Sequence, residues 1–117
     1  MFRSLFGQVT SGTAVKNIAP QEVQQKITNQ EPILVLDVRQ PEEYARDGHI
    51  QGARLMPLGS LSARMGELPH DIPIVVVCRS GARSRTACEL LKRQGYENVA
   101  NMSGGMITWK RHGLPFN

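Results

Sequence analysis

Ile74-Val75-Val76-Val77-Cys78-Arg79-Ser80-Gly81-Ala82-Arg83-Ser84 is the stretch on which the reading of the fold turns. Its first four residues are all β-branched and follow Pro73, a pattern that reads as a buried strand. The chain then passes through a basic, glycine-containing loop. A helix is expected from about Ser84, because Ser84, Ala87, Cys88 and Leu91 recur at i, i+3, i+4 and i+7 and define one inner face. Glu89 and Arg93 are spaced to pair on its outer side, and Gly95 to end it.

The same alternation continues on both sides. Upstream, Pro20 opens an expected helix over about 20–29 with Val23 and Ile27 four apart, and Glu31-Pro32 stops it. Ile33-Leu34-Val35-Leu36-Asp37-Val38 is a near-continuous apolar run, as found in strands buried on both faces. Pro41-Glu42-Glu43-Tyr44-Ala45 begins a short helix whose first-turn acids complement the helix dipole. A glycine-flanked turn, Gly48 to Ala53, leads into a short strand at Arg54-Leu55-Met56. Leu58, Leu61, Met65 and Leu68 then predict a helix over about 58–67. Downstream, Val99-Ala100 reads as a short strand, and Met106, Ile107 and Trp109 lie on a last helix. Strands alternating with helices over one domain predict an α/β fold with a mostly parallel sheet. Residues 1–16 show no period and read as a lead-in to a domain at 17–117.

Composition bounds the function. The chain has 117 residues, 40% of them hydrophobic, enough for one domain to bury a core without staples. No apolar run approaches the roughly 20 residues that span a bilayer, so no membrane partner is expected. The start of the chain has no apolar core behind basic residues, as a secretory signal would, and a cytoplasmic location is the expectation. Two cysteines make no disulfide framework, which suits a reducing compartment. His49, His70 and His112 stand at no zinc-like spacing, and neither a metal nor a cofactor is expected. The net charge of +4 is local: from Cys78 to Arg93 there are five basic residues and one acid, whereas the rest of the chain carries nine of each. Such a field draws in a small anion. Aromatics are only 5% and none interleaves with the basic run, which argues against a nucleic-acid surface.

In open α/β sheets ligands bind beyond the carboxyl ends of the strands, and Cys78 stands there, between the best strand and a helix start. A helix N-terminus and nearby cations both lower a thiol pKa. Arg79 and Arg83 supply the cations, and Ser80 and Gly81 let the backbone curl so that successive N–H groups point inward as an anion nest. Cys78 is therefore the candidate nucleophile, with Arg79, Ser80, Gly81, Ala82, Arg83 and Ser84 as its substrate-binding loop. Arg79 and Arg83 are the candidates to hold an oxyanion with their forked donors. Cys88, on the inner helix face, reads as inert core. Asp37 and Arg39 close the first buried strand on the same side of the sheet. They read foremost as a structural ion pair that fixes loops, with a site-shaping role as the alternative. His49 reads as a packing or hydrogen-bonding residue in its turn rather than as a general base.

Four segments between about Ile18 and Phe116 together resemble the rhodanese-like family. They are Leu34 to Arg39 with Glu42-Glu43-Tyr44, the turn Gly48 to Ala53, the loop Val77 to Ser84, and Gly104 to Trp109 with Gly113-Leu114-Pro115. The resemblance implies a three-layer domain with a five-stranded, mostly parallel sheet. It also implies ping-pong transfer of sulfane sulfur through a persulfide on Cys78. The donor would be a small sulfur anion such as thiosulfate or a persulfide. The acceptor would be cyanide or a thiol, a protein thiol included, and the domain would act as a monomer. One alternative is a phosphatase or arsenate reductase on the same architecture. It needs an arginine six positions after the cysteine, where this chain has Ser84. The other is a non-catalytic or relay module that serves protein contact.

Overall fold

The structure, a computed structural model, describes residues 14–117. Five strands form one all-parallel sheet: β1 (Lys16–Ile18), β2 (Leu34–Asp37), β3 (Arg54–Leu55), β4 (Ile74–Val77) and β5 (Val99–Met102), in the order β1-β5-β4-β2-β3. Five helices connect and cover them: α1 (Pro20–Thr28), α2 (Pro41–Arg46), α3 (Leu58–Arg64), α4 (Ala82–Arg93) and α5 (Gly105–Arg111). A parallel pair cannot be joined by a hairpin, so each crossover carries a helix and the sheet is covered on both faces.

Side-chain alternation along the strands sorts the core into two layers. Leu36, Val38, Ile74, Val76 and Cys78 pack with Leu61 of α3 and with Ala87, Cys88 and Leu91 of α4. Val35, Val75, Val77 and Met102 face the other way, onto Val23 of α1 and Met106 and Trp109 of α5. Each fully buried aliphatic side chain of this kind stabilises the fold by about 1.5–3 kcal/mol relative to exposure. β4 lies in the centre between β2 and β5, and all four of its residues are buried, which is why the run Ile74–Val77 is β-branched throughout.

Three expectations are corrected. A three-residue strand, β1, begins at Lys16, within the stretch read as a lead-in; residues 1–13 lie outside the described residues. Helix α4 starts two residues early, at Ala82, because Gly81 takes a left-handed conformation (φ 106°) and turns the chain directly into the helix. Glu89 reaches back to Arg85, at 3.8 Å, instead of forward to Arg93. The predicted inner face of α4 is the observed one: Ser84, Ala87, Cys88 and Leu91 are its buried residues.

Candidate active site

Cys78 follows β4 directly, and its side chain falls on the α4 side of the sheet, where the residue is only 1% exposed. Three residues on, Gly81 N donates to Cys78 Sγ at 3.1 Å. Ser84 Oγ lies 3.3 Å from the same sulfur. The first turn of α4 contains no acid, so its positive end favours negative charge on the sulfur. Burial pushes the Cys78 thiol up. The hydrogen bonds of Ser84 and of the Ser84, Gly81 and Ser80 backbone outweigh burial and hold the thiol below its ordinary value.

Arg83 differs from its expected role. Its guanidinium grips Glu43 in a two-pronged pair, Nη1 to Oε1 at 2.7 Å and Nη2 to Oε2 at 2.8 Å. Glu43 thus ties α2 to α4 across 40 residues of sequence while also accepting from Gln40 N as the cap of α2. The hydrogen bond from Arg83 is the main cause that brings Glu43 down to about 2. A carboxylate depressed in this way stabilises the fold fully above its ordinary value of 4.5, and the contribution disappears as pH falls toward 2. The acid limb of a stability-versus-pH curve should therefore be steeper for the unmodified chain than for Glu43→Gln across that window. Superimposable limbs would mean that the pair does not hold in solution.

Arg79 is exposed. With Arg39, Asp47, Met106, Ile107 and Lys110 it lines an open cavity of about 290 Å³ beside the loop. A larger cavity of about 410 Å³, walled by His70 and Tyr96, contains none of the loop residues and is set aside on that ground. Ser80 and Ala82 are exposed, whereas Ser84 is fully buried. Cys88 is fully buried, and burial pushes its thiol up to about 12, which leaves it protonated. His49 Nδ1 donates to Tyr44 O at 2.9 Å, with its ring stacked on Tyr44.

Asp37 and Arg39 form a buried ion pair, each residue 1% exposed. Arg39 Nη2 meets Asp37 Oδ2 at 2.7 Å and Nε meets Oδ1 at 2.9 Å. Arg39 Nη2 also donates to Gly48 O at 2.9 Å and so holds the glycine-flanked turn.

Two supports of the loop were not anticipated. Asn101 on β5 receives a short hydrogen bond from Ser84 Oγ on Oδ1, and its Nδ2 donates to Gly81 O at 3.1 Å. The signal was available as a polar residue inside the apolar strand Val99–Met102. Met106 N and Ile107 N, in the first turn of α5, donate to Cys78 O and Arg79 O at 2.9 and 3.0 Å. That approach is close enough to require glycine at 105, where an added Cβ would lie 2.5 Å from Cys78 O.

A family profile described as Rhodanese-like domain matches residues 19–112. This chain belongs to the rhodanese-like family. A sulfurtransferase of Allochromatium vinosum is 44% identical to this rhodanese-like chain over 101 residues, covering 86% of the chain and 94% of that protein. The thiosulfate sulfurtransferase GlpE of Pseudoalteromonas translucida is 33% identical, covering 73% of the chain and 80% of that protein. Among solved structures, a rhodanese-related protein from Thermoplasma volcanium superimposes with a TM-score of 0.79 at 29% identity, over 87% of the chain and 97% of that protein. The five-stranded parallel sheet with helices on both faces is thus the rhodanese-like fold. No helix among the described residues of this rhodanese-like domain is long and apolar enough to cross a membrane, and none of its described side chains cluster as metal ligands.

Proposed function

We propose that this rhodanese-like domain is a sulfurtransferase that carries sulfane sulfur on Cys78, taking it from thiosulfate or a persulfide and passing it to cyanide or a thiol. The observation that carries this reading is the sulfur itself: a thiol held below its ordinary value by Gly81 N and Ser84 at the start of α4. In the first half-reaction the Cys78 thiolate attacks the outer sulfur of thiosulfate. The new Cys78 S–S bond forms as the donor's S–S bond breaks, and sulfite leaves with the electron pair. The persulfide anion then occupies the loop, where preset N–H dipoles stabilise its charge without reorganisation. In the second half-reaction cyanide or a thiolate takes the outer sulfur and returns Cys78 to the thiolate. Charge balances in both halves, so no external redox partner is needed.

The cavity with Arg79 and Lys110 beside the loop supplies positive charge for the sulfonate end of the donor. Arg83, neutralised by Glu43, is assigned to holding the loop rather than the donor. A reducing compartment such as the cytoplasm keeps both cysteines as thiols, and there a protein thiol is an available acceptor.

The test is intact mass after incubation with thiosulfate and removal of excess donor. One added sulfur, roughly 32 Da, is expected on the unmodified protein and not on Cys78→Ser, with cyanide reversing the gain and releasing thiocyanate. Failure to gain sulfur from thiosulfate or from any other sulfane donor would overturn the sulfurtransferase reading.

A further inference from the structure

Ser84 has one hydroxyl proton and two neighbours that can take it. One is Asn101 Oδ1 and the other is the Cys78 sulfur at 3.3 Å. The orientation of the Asn101 amide decides which of them receives it. Gly81 O can only accept, so the group facing it at 3.1 Å is Nδ2, and Oδ1 must face Ser84. Oδ1 has no proton, so Ser84 donates to it and presents a lone pair to the sulfur. Such a lone pair accepts from an S–H group. The thiolate needs the Ser84 proton turned toward it, and it is in that orientation that Ser84 lowers the thiol.

We propose that Asn101 is a positioning residue for the nucleophile, competing with Cys78 for the single Ser84 proton and thereby setting how readily the sulfur ionises. The inference rests on Cys78 being the sulfur carrier. In the thiol form the relay runs Cys78 S–H to Ser84 to Asn101. On ionisation the Ser84 hydroxyl rotates to the sulfur and Asn101 Oδ1 loses its donor. Because Asn101 is only 5% exposed, water cannot readily replace that donor. The relay therefore holds Cys78 back, leaving its thiolate fraction smaller than the Gly81 N–H and the helix start alone would allow.

Other charges face the sulfur from the elements around it. Arg79 follows it directly, Arg83 of α4 is paired with Glu43 of α2, and Asp37 is paired with Arg39 beyond β2. Lys110 lies on α5 and donates to Asp47 O, and Cys88 lies on α4. All of these are unchanged by substitution at 101 or 84, and Cys88 titrates far too high to interfere.

The experiment is a titration of thiolate ultraviolet absorbance, with Cys78→Ser as the blank, in four proteins: unmodified, Asn101→Ala, Ser84→Ala, and the double variant. Asn101→Ala frees the Ser84 proton for the sulfur, so about tenfold more thiolate is expected at a pH below the midpoint. Ser84→Ala removes the donor and moves the midpoint up. In the Ser84→Ala background the Asn101 substitution should have no further effect, because the proton being contested is gone. A residue that merely props up Gly81 would shift the midpoint equally in both backgrounds, and that result overturns the proposal, as does an unchanged or raised midpoint in Asn101→Ala alone. Asn101→Leu keeps the side-chain volume and serves as the second acceptor-free variant if the alanine form is unfolded by circular dichroism. The titration uses no sulfur donor, so its failure is separable from a failure to gain sulfur in the mass experiment.

Discussion

Arg39→Ala should lower the free energy of unfolding by about 3–5 kcal/mol, because it strands the Asp37 carboxylate in the core with the backbone N–H of residue 39 but without its countercharge. The pair is 1% exposed at both residues, so the carboxylate left behind is poorly hydrated. Three side-chain contacts to Asp37 and one to Gly48 O are lost together. Domains of this kind are stable by only about 5–15 kcal/mol, so the loss amounts to about a fifth of the total or more. Guanidinium chloride unfolding should show the midpoint falling with little change in slope. Replacing both members by apolar residues of similar volume, Asp37→Leu with Arg39→Met, should recover most of the loss, since no charge is then left buried. A cost below about 1 kcal/mol for Arg39→Ala would place the pair among solvated ion pairs instead.

Gly105→Ala should damage the site more than any other single added methyl. The new Cβ would stand 2.5 Å from Cys78 O and from the carbonyl carbon and oxygen of Arg79, all backbone atoms that cannot rotate away. Those same carbonyls accept from Met106 N and Ile107 N, so any retreat pulls apart the bonds that orient the Cys78–Arg79 peptide. The φ of +61° adds strain of about 1–3 kcal/mol for a residue with a side chain. Gly113→Ala is the control: its φ is +69°, but an added Cβ there meets nothing within 4 Å. Both variants should lose stability, and only Gly105→Ala should lose sulfur loading, on the order of 10²-fold, as expected for a reacting group displaced by about an ångström. Equal loading rates in the two would show that the approach of α5 to the loop is not what positions the cysteine.

What could be read before folding was local. The four β-branched residues of β4, the basic loop behind Cys78 and the repeat Ser84, Ala87, Cys88, Leu91 each express their structure within a dozen residues. What escaped was contact at a distance. β1 has three residues, none of them fully buried, and becomes a strand only because β5 lies beside it. Arg83 looked like a free loop cation because its partner, Glu43, lies 40 positions away on α2. Asn101 was one polar side chain in a short apolar strand until the sheet brought it under Ser84 and Gly81. The lowered thiol follows from the same distinction. Loop arginines suggested a charge effect, whereas the folded loop works mainly through hydrogen bonds that only its turn can aim.

Strand β1 sets a clock on this arrangement. Lys16–Ile18 pairs with Ala100–Met102, two segments separated by most of the chain, so closing them costs more entropy than joining any neighbouring strands. A pairing so short and so non-local is among the first to open in native fluctuations and among the last to be regained. Opposite Asn17 in that pairing stands Asn101. Each time the edge strand lifts, the backbone that carries Asn101 loses one of its two neighbours and keeps only β4, while β4 remains clamped between β2 and β5. Amide-exchange lifetimes would then divide the domain unevenly, with the nucleophile on its slowest strand and the residue beneath it on a faster one.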